Sequence, residues 1–181
     1  MNTFYLLSIV LIPFATFKSQ NNLQYKNIDV GFGGFSVLLK NDIQENERGG
    51  VTFNVNNGFV IKKNLISLNF ISGGGVGSGY VSIGGDFSFY KIDALYGREL
   101  VVSKWLSFDA NAGIGYYQQK GKLYFTDIEF RDSSINFPIK VSMIFLSNNR
   151  IGFGLNANYD INTLNNTFSG NLFLRINILK N

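Results

Sequence analysis

Neither cysteine nor histidine occurs among the 181 residues. Without cysteine the chain has no disulfide, no thiolate metal site and no lipid-modified cysteine anchor. Without histidine, Ser-His-Asp and Asp-His catalysis cannot be assembled. Charge is scarce as well: Asp, Glu, Lys and Arg make up 15%, against about 25% in ordinary soluble proteins. The net charge is +4, but the basic residues are scattered singly, with Lys62-Lys63 the only adjacent pair. Interleaved basic and aromatic patches are missing, which argues against a nucleic-acid partner. Beyond the N-terminus no stretch approaches the roughly 18 apolar residues of a membrane-spanning helix. If such a chain enters a bilayer, it does so as a closed barrel.

What the chain has in plenty is aromatic residues, 18 Phe and 9 Tyr, and alternation. In 151–162 every odd position is apolar (Ile151, Phe153, Leu155, Ala157, Tyr159, Ile161) and every even one is glycine or polar. A period of two means an extended strand with one oily and one wet face. The wet face is small and mostly neutral, unlike a strand facing bulk water.

After residues 1–19, whose apolar run 4–12 has the length of a secretory signal peptide, the segment 20–181 divides into eight such runs. They begin near Ile28, Val51, Ile66, Ser88, Leu106, Ile135, Ile151 and Phe168. In the first run the apolar parity changes after Gly33-Gly34, from Val30 and Phe32 to Phe35 and Val37. One inserted residue would do this, so a β-bulge is predicted there. Pro138 cannot donate to a ladder, so a local irregularity is predicted in the sixth run. Segments 40–49, 72–87 and 118–134 are predicted as long loops, alternating with tight turns at 62–64, 100–104 and 147–149. Long loops at one end and short turns at the other are the pattern of an up-and-down transmembrane barrel.

Charge placement distinguishes this from a soluble, lipocalin-like carrier, whose oily face is inside. The centres of the eight apolar faces carry no charge, whereas the opposite faces hold Lys91, Lys140, Arg175, Asp93, Asp109 and Asp160. A basic residue at the bilayer midplane costs about 2–4 kcal/mol, so the apolar faces are assigned to lipid. The six charges are assigned to the lumen as a structural network. A run of about 11 residues tilted by about 45° spans roughly 25 Å, the height of an apolar band. Eight strands enclose an interior that side chains nearly fill.

Leu95-Tyr96-Gly97, Ala112-Gly113-Ile114-Gly115-Tyr116, Asn136-Phe137-Pro138-Ile139 and 151–157 together resemble the small outer-membrane β-barrel domain family. Its architecture is similar to that of OmpX and the OmpA barrel, and the likeness runs from about Ile28 to the end. The resemblance implies an all-β, eight-stranded antiparallel up-and-down transmembrane barrel in the outer membrane, with no cofactor and no catalytic signature. It implies outer-membrane lipids and lipopolysaccharide as surroundings, barrel-assembly machinery as a partner during insertion, and a monomer. Its enzymatic relatives resemble one another in using histidine, which is absent here. The tail departs from the family pattern, ending Leu179-Lys180-Asn181 where such barrels often finish on an aromatic.

No metal or phosphate motif emerges. Residues 73–79 are glycine-rich but lack the Gly-Lys-Ser/Thr ending of a phosphate loop. The clusters Asp42/Glu45/Glu47 and Asp127/Glu129/Asp132 lack the spacing of a calcium loop. The expected role is structural or a surface-binding one carried by the loops, chiefly 118–134 with Tyr124, Phe125, Phe130 and Arg131. A narrow pore for ions or small solutes is the alternative, and a soluble carrier the third.

Overall fold

In the computed structural model, residues 23–39, 48–75, 77–78, 81–82, 87–122, 129–147 and 149–179 are described. The stretch expected as a signal peptide lies outside them. The elements are β1 (Leu23–Leu39), β2 (Arg48–Ile61), β3 (Asn64–Gly75), β4 (Gly77–Ser78), β5 (Val81–Ser82), β6 (Ser88–Ser103), β7 (Leu106–Lys122), β8 (Glu129–Phe145), β9 (Ile151–Asn162) and β10 (Asn165–Asn177). Eight of them close into an antiparallel up-and-down barrel in the order β1-β10-β9-β8-β7-β6-β3-β2. The short strands β4 and β5 pair only with each other, in the connection between β3 and β6. Closure leaves the sheet without an edge, which is what lets strands satisfy their backbone groups in lipid.

The alternation sets the faces. In β9 the odd residues are exposed, apart from the half-buried Tyr159, and every even one is buried. The same reading holds around the barrel: Phe32 is 68% exposed while Lys91 is fully buried. The oily face is therefore outside, which removes the apolar interior that a lipocalin-like carrier needs.

Of two local expectations, one changes and one holds. No register shift occurs at Gly33-Gly34; β1 pairs regularly there with both β2 and β10. Phe35 and Val37 change parity because they point inward and are buried. The bulge lies instead between Tyr25 and Asn27. It turns Lys26 toward the mouth of the barrel, where its amine pairs with Glu99. The Tyr25 ring stays outside against Phe59, with centroids 5.0 Å apart. At Pro138 the β7–β8 ladder runs from Ala112↔Ile139 to Gly115↔Asn136 with two rungs missing and the register unchanged. That is the irregularity a proline imposes.

The strands also run further than the alternation suggested. Residues 118–122 and 129–134 continue β7 and β8 as a paired extension, Gln118↔Ser133 through Lys122↔Glu129, leaving 123–128 as the connection. Gly73–Gly75 belongs to β3 rather than to a loop. The excursion after it is closed where Gly75 N–H donates to the Phe87 carbonyl, 2.7 Å away. At the other end β6 runs to Ser103, so only Lys104-Trp105 turns the chain into β7. At 17 residues, β7 measures roughly 40 Å along the membrane normal at a tilt of about 45°, so its end stands clear of a ~25 Å apolar band.

Candidate functional site

Inward positions repeat along each strand, so the register stacks the polar residues into layers inside the barrel. Near the tight turns, Asp29 of β1 faces Arg175 of β10 across one rung. The guanidinium grips that carboxylate with two bonds, Nε to Oδ1 at 2.7 Å and Nη2 to Oδ2 at 2.8 Å. The same Nη2 reaches Asp109 Oδ2 at 3.0 Å. Asn27 and Asn56 donate to the two oxygens of Asp29, at 2.8 and 3.1 Å. A planar fork suits this duty, since it presents parallel donors to a carboxylate. The Phe173 ring lies beneath the guanidinium, 5.6 Å to its centroid.

A second cluster sits nearer the loops. Lys91 Nζ bonds both oxygens of Asp160, at 2.6 and 2.7 Å, and lies 3.2 Å from Asp93. Asn136 ties the two carboxylates together, donating at 3.0 Å to Asp93 and 2.8 Å to Asp160. Gly115 faces Asp93 in the register, and a Cβ there would collide with the carboxylate. Lys140 stands apart from both clusters. Its amine donates to Asn69 Oδ1 at 3.3 Å, and Asn69 Nδ2 passes the contact on to Asp93 at 3.3 Å.

All six charges expected in the lumen are thus buried there, as two ion clusters and a lysine linked through an amide. Asp29 belongs with them and was missed. The available signal is its inward parity with Asn27 and Gly31, which the change from polar to apolar inward residues further along β1 masks. With Asp29 included, the described lumen buries four carboxylates and three cations. Between and around the charges runs a ladder of amides and hydroxyls. Asn158 and Asn171 both donate to Asn156, and Thr52 donates to Asn171.

Above the second cluster the lumen turns apolar. Phe35, Val37, Ile71, Phe87, Phe89 and Tyr117 form a buried group, with Phe130 and Leu164 packed against it. Phe35 and Phe89 meet edge to face at 4.9 Å, and Phe89 stacks on Tyr117 at 5.5 Å. The Phe89 ring lies over Gly73, where any Cβ would strike it. This aromatic cap closes the polar lumen toward the loops.

Outside, the wall is an apolar belt with rings at both borders. Trp105, Phe145 and Phe153 stack in series near the turns, at 6.3 and 5.3 Å. Tyr90 and Tyr116 meet at 6.2 Å near the loops. An exterior of this kind, around a polar interior, is that of a transmembrane β-barrel. No family model matches the sequence, and no curated protein matches it. Solved structures do. Neisserial surface protein A superposes with a TM-score of 0.65 at 12% identity, over 86% of this chain and 97% of that one. Ail, the attachment invasion locus protein of Yersinia pestis, gives 0.58 at 12% identity, over 88% and 100%. The N-terminal β-barrel domain of Pseudomonas aeruginosa OprF gives 0.54 at 11% identity, over 86% and 99%. The chain has the fold of the small eight-stranded outer-membrane barrels.

The residues expected to make surface contacts separate on this fold. Tyr124 and Phe125 lie outside the described residues. Phe130 is half-buried in β8 against the cap, so its ring serves closure. Arg131 is exposed on the β7–β8 extension and donates to Gln118 at 3.0 Å. Of the acidic clusters, Glu129 and Asp132 fall in β8. Among the described residues no group of three carboxylates gathers as a metal site.

Proposed function

We propose that this chain is an integral outer-membrane barrel protein, non-enzymatic, in which the barrel is a rigid scaffold and the loop-bearing end does the binding. The observation that carries this reading is the lumen, filled with mutually bonded side chains and capped by the aromatic cluster over Phe89. A scaffold needs no path through its centre; a conduit does. The narrow-pore alternative therefore has the weaker support. The fold-level likeness to proteins named for the surface and for attachment favours the loop-bearing end as the working end. The absence of histidine weighs against the hydrolytic and acyl-transfer chemistry that a triad would supply.

The missing cysteines make a clean test of location and orientation possible. Asp132→Cys, on the exposed β7–β8 extension, and Lys104→Cys, at a tight turn, each create a single thiol. A membrane-impermeant maleimide is expected to label Asp132→Cys on intact cells, and Lys104→Cys only after the outer membrane is opened. Labelling of both on intact cells, or of neither, defeats the reading; the reverse pattern inverts the orientation.

A further inference from the structure

Arg98 occupies an unusual place. It lies on the outward face of β6 between Tyr96 and Leu100, which are 57% and 66% exposed. Its flanks therefore belong to the lipid-facing wall, yet the side chain is a permanent cation. Its Nε donates to the neutral Asn64 Oδ1, at 3.3 Å. Asn64 is also its register partner across the β3–β6 ladder. Immediately before Asn64 comes the turn Lys62-Lys63, with both side chains exposed. Lys62 holds a left-handed φ of 58°, where a hairpin turn ordinarily uses glycine or asparagine. Three cations thus converge on the border of the apolar wall.

The acid nearest in sequence cannot answer them. Glu99 follows Arg98 directly but points the other way, into the barrel mouth. One of its oxygens pairs with Lys26 and the other accepts from Ser107 at 3.2 Å. Among the described residues no carboxylate pairs with Arg98, Lys62 or Lys63.

We propose that Lys62, Lys63 and Arg98 form a binding site for the phosphodiester headgroup of an anionic phospholipid, in the leaflet at the tight-turn end. The inference rests on the membrane-spanning reading and adds a lipid class and a place to it. The phosphate accepts from the guanidinium and the two ammonium groups, while Tyr96, two residues toward the membrane centre on β6, flanks its glycerol and upper acyl chain. A basic residue at a lipid surface contributes about a fivefold preference for anionic over zwitterionic lipid. Three together are expected to give at least that much after losses to side-chain ordering.

The test uses the full chain, inserted into vesicles of phosphatidylcholine and phosphatidylglycerol in equal parts and then extracted in mild detergent. Native mass spectrometry reads the lipid that stays bound. The wild type is expected to retain phosphatidylglycerol over phosphatidylcholine by about fivefold or more. The triple variant Lys62→Gln, Lys63→Gln, Arg98→Gln is expected to fall to parity. Lys104→Gln with Arg150→Gln, basic changes at the other tight turns, is expected to keep the preference. A heat-dependent gel shift certifies that each variant is folded. Parity in the wild type, or an undiminished preference in the triple variant, overturns the proposal. So does loss of the preference on adding inorganic phosphate, which would mark a site for the free anion. Failure of the folded wild type to insert at all would instead strike the membrane-spanning reading, so the two can fail separately.

Discussion

Arg175 shows how much one side chain decides in this interior. It is buried to 2% exposure and is, among the described residues, the only cation at ion-pair distance from Asp29 and Asp109. Removing one partner from a buried ion cluster costs about 3–5 kcal/mol, because the remaining charges stay desolvated and unpaired. Arg175→Met is therefore expected to lower the unfolding free energy by about that much, measured by urea titration of the folded barrel in micelles. Asp109→Asn is expected to cost far less. Its Oδ1 has no protein partner, and Arg175 keeps both bonds to Asp29 without it. Equal losses in the two variants would show that the fork is not the organising contact. A second residue-scale contrast tests the faces. Leu155 is 44% exposed on the belt, whereas Asn156 is buried in a lumen with one carboxylate in excess. Leu155→Lys is expected to cost about 2–4 kcal/mol and to impair assembly. Asn156→Lys forfeits two amide bonds but supplies a cation where acid exceeds base, so its damage is expected to be smaller. Folded yield in the outer-membrane fraction reads the difference.

Among the strands, β8 and β1 show where sequence reasoning reaches and where it stops. Pro138 in β8 was legible because a missing N–H has one consequence whatever the fold, and the two absent rungs are that consequence. In the unchanged register Gly113 stands opposite Pro138, so its carbonyl is the group left without a ladder donor. Pro138→Ala restores a donor at position 138, and that amide is expected to exchange hydrogen as slowly as its neighbours in β8. Rapid exchange there would show that the missing rungs have another cause. In β1 the change of parity was legible but its cause was not. Alternation says that two faces differ, and a reader assumes that each face keeps one polarity throughout. Phe35 and Val37 break that assumption because the lumen itself changes from polar to apolar beneath the cap. The ends of β7 and β8 were hidden for a different reason. Beyond the bilayer the outer face of a strand meets water instead of lipid, so 118–122 and 129–134 lose the alternation that marks a strand. Pairings such as Asp29 with Arg175, 146 residues apart, depend on closure of the barrel and leave no local trace.

The whole molecule inverts the usual soluble design: charge and amide inside, leucine and phenylalanine outside. Its apolar core is small, and the aromatic cap is the largest part of it. Rigidity comes from a closed ladder of backbone bonds and from buried ions that join strands three places apart around the barrel, Arg175 to Asp109 and Lys91 to Asp160. Such a body can carry loops without deforming under them, which suits a scaffold for surface binding. It is ill suited to passing solute, because a conducting path would have to part the ion clusters and lift the Phe35–Phe89 contact together. The most direct test is single-channel recording of the purified wild-type chain in planar bilayers, with folding verified by the heat-dependent gel shift. The account predicts insertion with no reproducible conductance steps in molar salt. Regular steps of uniform size from the folded monomer would contradict it and make the lumen the functional site.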